Sequence, residues 1–338
     1  MLSALKLMSM AILVGTNTPY WGHTFLAEGN DKIYALRSLS GSSSLCVFDG
    51  TQLKGQGGLV ELSSLQAMMA EGTTPGEHSC HITLLDREAV VADYTSGTLT
   101  LYPLAADGSL EGEPRIVHFS GSGPHPKRQL SPHIHSSSLS PDKATLIVAD
   151  LGTDRLYRFD VKQGRAVMPY TPVVLPEGCG PRHTAFSPDG RFLYVVTELS
   201  DEVLVYRTDD YSLLERHSLN GENPQGGAHI ALSRDGRYLY ATLRVSSTAN
   251  AAACKLADGV AVFERNADGL LRRVGYRTTG GHPRHFALSI DGDSLIVACR
   301  DSNSVELYPI DPTSGALGDC IDKVEVSNPV FVLPLSGR

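Results

Sequence analysis

The chain has 338 residues, 33 of them Gly and 19 Pro, and a formal net charge of −8. Hydrophobic residues make up 41% and charged ones 20%, which supports a packed core and excludes a disordered or collagen-like chain. The negative balance argues against a general nucleic-acid binder, and no stretch is apolar for long enough to cross a membrane as a helix.

The first segment, Met1 to Gly15, is apolar with one lysine. It reads as a weak signal peptide or as a strand over Ala11-Ile-Leu-Val-Gly15, and the missing small-residue cleavage site favours the strand. A degenerate hairpin covers Thr24 to Ser38, and looser copies follow at His81 to Asp93 and Ser136 to Ala149. Three clear copies then align without a gap, beginning His183-Thr-Ala-Phe-Ser-Pro-Asp-Gly, His229-Ile-Ala-Leu-Ser-Arg-Asp-Gly and His285-Phe-Ala-Leu-Ser-Ile-Asp-Gly. In each, an apolar run meets an Asp-Gly turn and a second apolar run follows, which is a β-hairpin signal. A third run comes next, as in Leu99 to Tyr102, Leu156 to Phe159, Val203 to Tyr206, Val260 to Phe263 and Val305 to Tyr308.

The copies start 46 (183 to 229) and 56 (229 to 285) residues apart. A propeller blade of four strands takes about 40–50 residues. The expectation is one all-β domain over residues 1–338, a seven-bladed β-propeller. Six blades come from the copies, and a shortened seventh forms by pairing Pro329 to Leu333 with Ala11 to Gly15. Thr248 to Asp258 reads as a loop insertion.

The six cysteines, Cys46, Cys80, Cys179, Cys254, Cys299 and Cys320, show no CxxC spacing and read as free thiols of a reducing, cytoplasmic compartment. His133 and His135 lie two apart and share one side of an extended segment. No acidic residue with ligand spacing accompanies them, so no metal is expected. Composition gives no oligomeric state.

In each hairpin the first strand begins where the second ends. Counting from the turn serine places His135, Arg182, Ala228 and Arg284 at strand starts. Leu151, Glu198, Arg244 and Arg300 fall at strand ends, with Tyr94 at the looser equivalent. Such polar residues at one end of a propeller suggest either a ring of ion pairs between blades or a ligand pocket. His81, His133, His135, His183, His229 and His285 fall at the same level, where each could bind substrate or cap a strand. The near copies Gly178-Cys-Gly-Pro-Arg-His183 and Gly280-Gly-His-Pro-Arg-His285 pair a close-approach backbone with a cation suited to phosphate or carboxylate.

The ordered set Val14-Gly-Thr16, Pro132-His-Ile-His-Ser136, Asp150-Leu-Gly-Thr-Asp154, Gly180-Pro-Arg-His183, Thr197-Glu-Leu199 and Gly281-His-Pro-Arg-His285 resembles the seven-bladed propeller lactonases, which include 6-phosphogluconolactonases and carboxymuconate cyclases. The resemblance implies a catalytic set of His135, Arg182, Glu198 and Arg244, with His133 an alternative to the first and Arg284 to the last. It implies a small phosphorylated or carboxylated lactone as substrate and no cofactor. His81, His133, His183, Arg284, His285, Arg300 and Tyr94 are the expected substrate-binding residues. The chain departs from the pattern at His229, at Leu243-Arg244 and Cys299-Arg300, and between Asn17 and His23, where further strands of the first-last blade are usual. A lactonising cyclase and a non-catalytic binding propeller are the rival readings.

Overall fold

The computed structural model describes residues 11–16, 22–39, 42–52, 58–61, 68–219, 226–244 and 257–335. Among the described residues there are six four-stranded antiparallel sheets and one three-stranded sheet. Their innermost strands touch in sequence and close a ring of seven. The sheets are numbered here by blade. The inner strands of blades I to VI are Gly22–Gly29, Ser79–Leu85, Ile134–Leu139, Pro181–Phe186, Gly227–Leu232 and Pro283–Leu288. Blade VII has Pro329–Pro334 inside, Ala11–Thr16 beside it and Gly58–Glu61 outermost.

The repeated Ser-x-Asp-Gly explains the hairpin turns of blades IV, V and VI. In blade IV the Ser187 hydroxyl donates to Asp189 at 2.6 Å and accepts from the Phe192 amide at 3.0 Å. Ser233 and Ser289 donate likewise to Asp235 and Asp291. Gly190 follows with φ of 72°, a left-handed conformation that glycine reaches without a Cβ clash. The apolar runs stack blade on blade. Phe159 and Tyr157 of blade III, for example, pack with Val90, Leu99 and Leu101 of blade II. Truncating a buried phenylalanine such as Phe159 to alanine should cost about 3–5 kcal/mol.

The six expected hairpins are all present, and the expected pairing of the two ends is present as well: Leu13 opposes Leu333 and Val14 opposes Val332. The expected gap in blade VII is partly filled. Gly58–Glu61, an excursion between the last two strands of blade I, runs parallel to Ala11–Thr16 as a third strand. Parallel pairing needs a long connection, so no short-range sequence pattern announces it. The signal-peptide alternative concerns Met1 to Gly15, of which residues 1–10 lie outside the described residues. Asn17 to Trp21 lie outside them too, as does the insertion from Thr248 up to Leu256. Among the described residues no helix is long and apolar enough to cross a membrane. The five described cysteines, Cys46, Cys80, Cys179, Cys299 and Cys320, are free.

Candidate active site

A β-bulge recurs in the inner strands. In blade IV Pro181 pairs with Thr197 and His183 with Val196, so Arg182 has no partner across the hairpin. Register shifts likewise leave out Cys80, His135 and Arg284. An extra residue on one strand re-aims its side chain. Arg182 and Glu198 therefore do not oppose each other as cross-strand neighbours, as simple hairpin geometry predicts. Glu198 lies one residue beyond the second strand, Phe192–Thr197. The backbone amides of Tyr94, Leu151, Glu198, Arg244 and Arg300 each donate to a carbonyl just before the inner strand of their own blade: His78, His133, Gly180, Gly226 and His282. That shared bond sets all five side chains at one end of the ring.

Three guanidiniums converge on Glu198. Arg182 Nε donates to Oε2 at 2.9 Å, and Arg244 Nη2 lies 2.9 Å from the same oxygen. Arg128 Nη2 donates to Oε1 at 2.6 Å and to the Tyr94 hydroxyl at 3.1 Å. Arg244 is further held by the carbonyls of Gly226 and Gly227, at 3.0 and 3.1 Å. Arg182 also donates to the Ala228 carbonyl and lies 3.2 Å from His183 Nε2. Burial alone would raise the Glu198 pKa, but Arg244, Arg182 and Arg128 together hold it well below the usual carboxylate range. Glu198 is therefore a permanent anion at working pH.

A cavity of 370 Å³ opens over this cluster, lined by His78, Cys80, Tyr94, Thr95, Arg128, His135, Glu198, Arg244 and Arg284. Cys80, His135 and Arg284 also line a narrow space of 30 Å³ beneath it, which reaches Arg182, His183, His285 and Phe331. Burial, then the charge of Arg182, drives the His135 pKa well below its ordinary value, so the ring is neutral. Its Nδ1 is buried without a hydrogen-bond partner. Arg284 has no ion pair or hydrogen bond among the described residues. Burial, then Arg244, lowers its pKa to about 10. A half-buried cation without an ion pair is costly, and a bound anion relieves that cost.

The expected residues thus separate. His135, Glu198, Arg244, Arg284 and Tyr94 line the mouth. Arg182 does not; it is only 2% exposed and supports Glu198 from below. His133 lies behind Tyr94, its ring stacked on the phenol at 4.5 Å and its Nδ1 2.9 Å from the Tyr94 carbonyl. Arg300 turns away to pair with Asp301 at 2.7 Å. His81, His183 and His285 follow the bulges and sit inside the channel rather than at its mouth. With His229, Phe25 and Phe331 they fill its axis: His229 and His285 centroids are 4.0 Å apart, and Phe25 and His81 are 4.2 Å apart. Among the described residues, no three His, Cys, Asp or Glu side chains form a group able to hold a metal.

Arg128 also lines the mouth, and hairpin reasoning misses it. It lies between blades II and III, outside the repeat. The legible signal was the length of that connection, residues 119–133, because long loops in compact domains are usually functional. A larger cleft, of 740 Å³, lies between blades III and IV at the opposite, turn-bearing end. Its Arg191 and Asp189 satisfy each other at 2.8 Å, and none of its charged groups converges as those at the mouth do.

Residues 25–334 match the family model described as lactonase, 7-bladed beta-propeller. The chain belongs to that family. It is 30% identical over 317 residues to the 6-phosphogluconolactonase of Bacillus subtilis, covering 90% of this chain and 84% of that protein. Among solved structures, a candidate 6-phosphogluconolactonase from Bacteroides fragilis superposes with a TM-score of 0.82 at 28% identity, covering 96% of this chain and 97% of that one. The periplasmic gluconolactonase PpgL of Pseudomonas aeruginosa superposes with a TM-score of 0.79 at 26% identity, covering 97% and 99%.

Proposed function

We propose that this lactonase hydrolyses the ester ring of a phosphorylated sugar lactone, 6-phosphogluconolactone first, at the channel mouth. The observation that carries the proposal is the convergence of Glu198, neutral His135 and the unpaired cation Arg284 on one cavity. Water attacks the lactone carbonyl while His135 takes its proton. Such general base catalysis contributes about 10²–10⁴-fold. Arg284 and Arg244 face the oxyanion as it forms. The ring C–O bond then breaks, the proton passes from the imidazolium to the leaving alkoxide, and a hydroxy acid is released. Glu198 keeps the arginines in place, and its charge favours the transient imidazolium. Arg182 and His133 orient Glu198 and Tyr94.

A relative named gluconolactonase makes an unphosphorylated lactone the second reading. The four guanidiniums against a single carboxylate favour the anionic substrate. The free thiols fit a reducing compartment, and we place the enzyme in the cytoplasm on that ground. The test follows lactone loss from 6-phosphogluconolactone, glucono-δ-lactone and a carboxymuconolactone by the acid released at constant pH. Folded wild type should outpace buffer on the phosphorylated lactone, and His135→Ala should lose about 10²–10⁴ of that rate. No rate above buffer on any lactone ends the hydrolase reading; turnover of the carboxymuconolactone alone would make it a cyclase.

A further inference from the structure

Three cations hold Glu198, but they are not equivalent. Arg182 and Arg244 share Oε2, come from blade strands or their ends, and have backbone carbonyls as further partners. Arg128 alone holds Oε1. Its side chain is 37% exposed, against 2% for Arg182 and 7% for Arg244. Its loop is nevertheless fixed. Gln129 is fully buried and donates to the Leu151 carbonyl at 2.9 Å and to Asp154 at 2.7 Å. His125 Nδ1 accepts the amides of Lys127 and Arg128, both at 3.2 Å. The backbone is therefore anchored on either side of a side chain that reaches out over the cavity.

We infer that Arg128 is the residue by which this site selects a lactone bearing a second, anionic group, and that binding this group releases one oxygen of Glu198. The inference rests on the proposed lactonase reading. A phosphate presents two or three oxygens to the guanidinium fork, where Glu198 presents one. An arriving phosphate draws Arg128 off Oε1, while Arg182 and Arg244 keep Oε2. The freed oxygen then faces the cavity and accepts a hydrogen bond from the attacking water. A neutral lactone has nothing to draw Arg128 away and meets a carboxylate that is fully engaged. Arg284 lies deeper, at the entrance to the narrow space, and is left for the carbonyl end.

The experiment measures kcat and KM of wild type, Arg128→Ala and Arg128→Lys on 6-phosphogluconolactone and on glucono-δ-lactone, with circular dichroism confirming the fold. Wild type should prefer the phosphorylated lactone. Arg128→Ala should shrink that preference, read as the ratio of the two kcat/KM values, by about 10- to 100-fold. The phosphorylated lactone should lose through a raised KM, the neutral lactone should gain in kcat because Arg128→Ala leaves Glu198 Oε1 free, and Arg128→Lys should reverse only part of either change, because an ammonium lacks the fork. A ratio that moves less than about threefold, or a wild type without preference, overturns the inference while leaving the lactonase reading intact. Should wild type hydrolyse neither lactone, calorimetry with 6-phosphogluconate decides separately. Binding that Arg128→Ala lacks sustains Arg128 as an anion ligand, and equal binding by both proteins overturns it.

Discussion

The Nδ1 atoms of His183 and His229 stand 2.8 Å apart, so one of them carries a proton and the other does not. Arg182 decides which. Its Nη1 lies 3.2 Å from His183 Nε2, and a guanidinium can only donate. His183 Nε2 must accept, which leaves the proton on His183 Nδ1 and makes His229 Nδ1 the acceptor. Both rings are neutral: burial, then Arg182, puts the His183 pKa well below the ordinary value and His229 at about 3.

In ¹⁵N-histidine spectra, His183 should therefore show a protonated Nδ1 and His229 a protonated Nε2, unchanged from pH 8 to pH 6. Arg182→Lys should disturb the His183 signals first. The reverse assignment, or fast exchange between tautomers, would contradict this order of donors.

Replacing Glu198 by glutamine removes the single anion among Arg128, Arg182, Arg244 and Arg284. Breaking a buried ion pair from one side costs about 3–5 kcal/mol, and the melting temperature should fall accordingly. The site also becomes more positive, so an anionic product should bind at least as tightly as to wild type while kcat collapses. A purely structural role for Glu198 predicts weakened binding and weakened turnover together. Product affinity by calorimetry separates the two.

The channel histidines make the fold acid-labile. Burial and neighbouring Arg182 lower His81 and His229 to about 3, from 6.5, and His135, His183 and His285 fall well below 6.5. Each group binds a proton in the unfolded chain before it does so in the native one. Its stabilising effect is thus complete above pH 6.5 and is lost as pH falls from there towards 3. Each ring thereby steepens the fall of stability with acid across that window. Melting temperatures should be flat from pH 8 to 7 and drop steeply below pH 6, with proton uptake on unfolding. A melting temperature constant down to pH 4.5 would contradict burial of these rings in the neutral form.

Asp154 links blade III to blade IV and to the arginine loop. It accepts from the Gly178 and Gly180 amides at 2.7 and 2.8 Å and from Gln129 at 2.7 Å. Analogous bonds join Asp201 to Gly227, Asp258 to His282 and Asn303 to Asn328. Asp154→Ala leaves two buried donors, on Gln129 and Gly180, without this acceptor, at about 1–3 kcal/mol each before relaxation, and frees the half-buried Gly178 amide to water. Because Gln129 loses one of its two acceptors and keeps only the Leu151 carbonyl, activity on a phosphorylated lactone should fall further than in Asp201→Ala. Equal losses would mean that the loop does not depend on Asp154.

The hairpin copies were legible because a Ser-x-Asp-Gly turn between two apolar runs is a local pattern. The joining of the chain ends was legible because an unpaired inner strand needs a partner. The sixteen-residue offset from Arg182 to Glu198 also placed these two residues at one end of the ring. What the offset could not convey was the bulge, which costs one residue of register and leaves no compositional trace. It turned His183 and His285 inward and set Arg182 beneath the mouth instead of at its surface. Arg128 escaped because its contact with Glu198 spans 70 positions and obeys no repeat. Gly58–Glu61 escaped for the same reason: its partner strand is set by tertiary approach.

Blade VII gives synthesis of this protein a particular order. Its inner strand, Pro329–Pro334, is made after all six other blades, yet it pairs with Ala11–Thr16, which is made before them. Until the ribosome has delivered that segment, the nascent chain is an arc with two raw flanks, at blades I and VI. Either flank can recruit a neighbouring nascent chain, so crowded translation is the moment at which this protein is most exposed to mispairing.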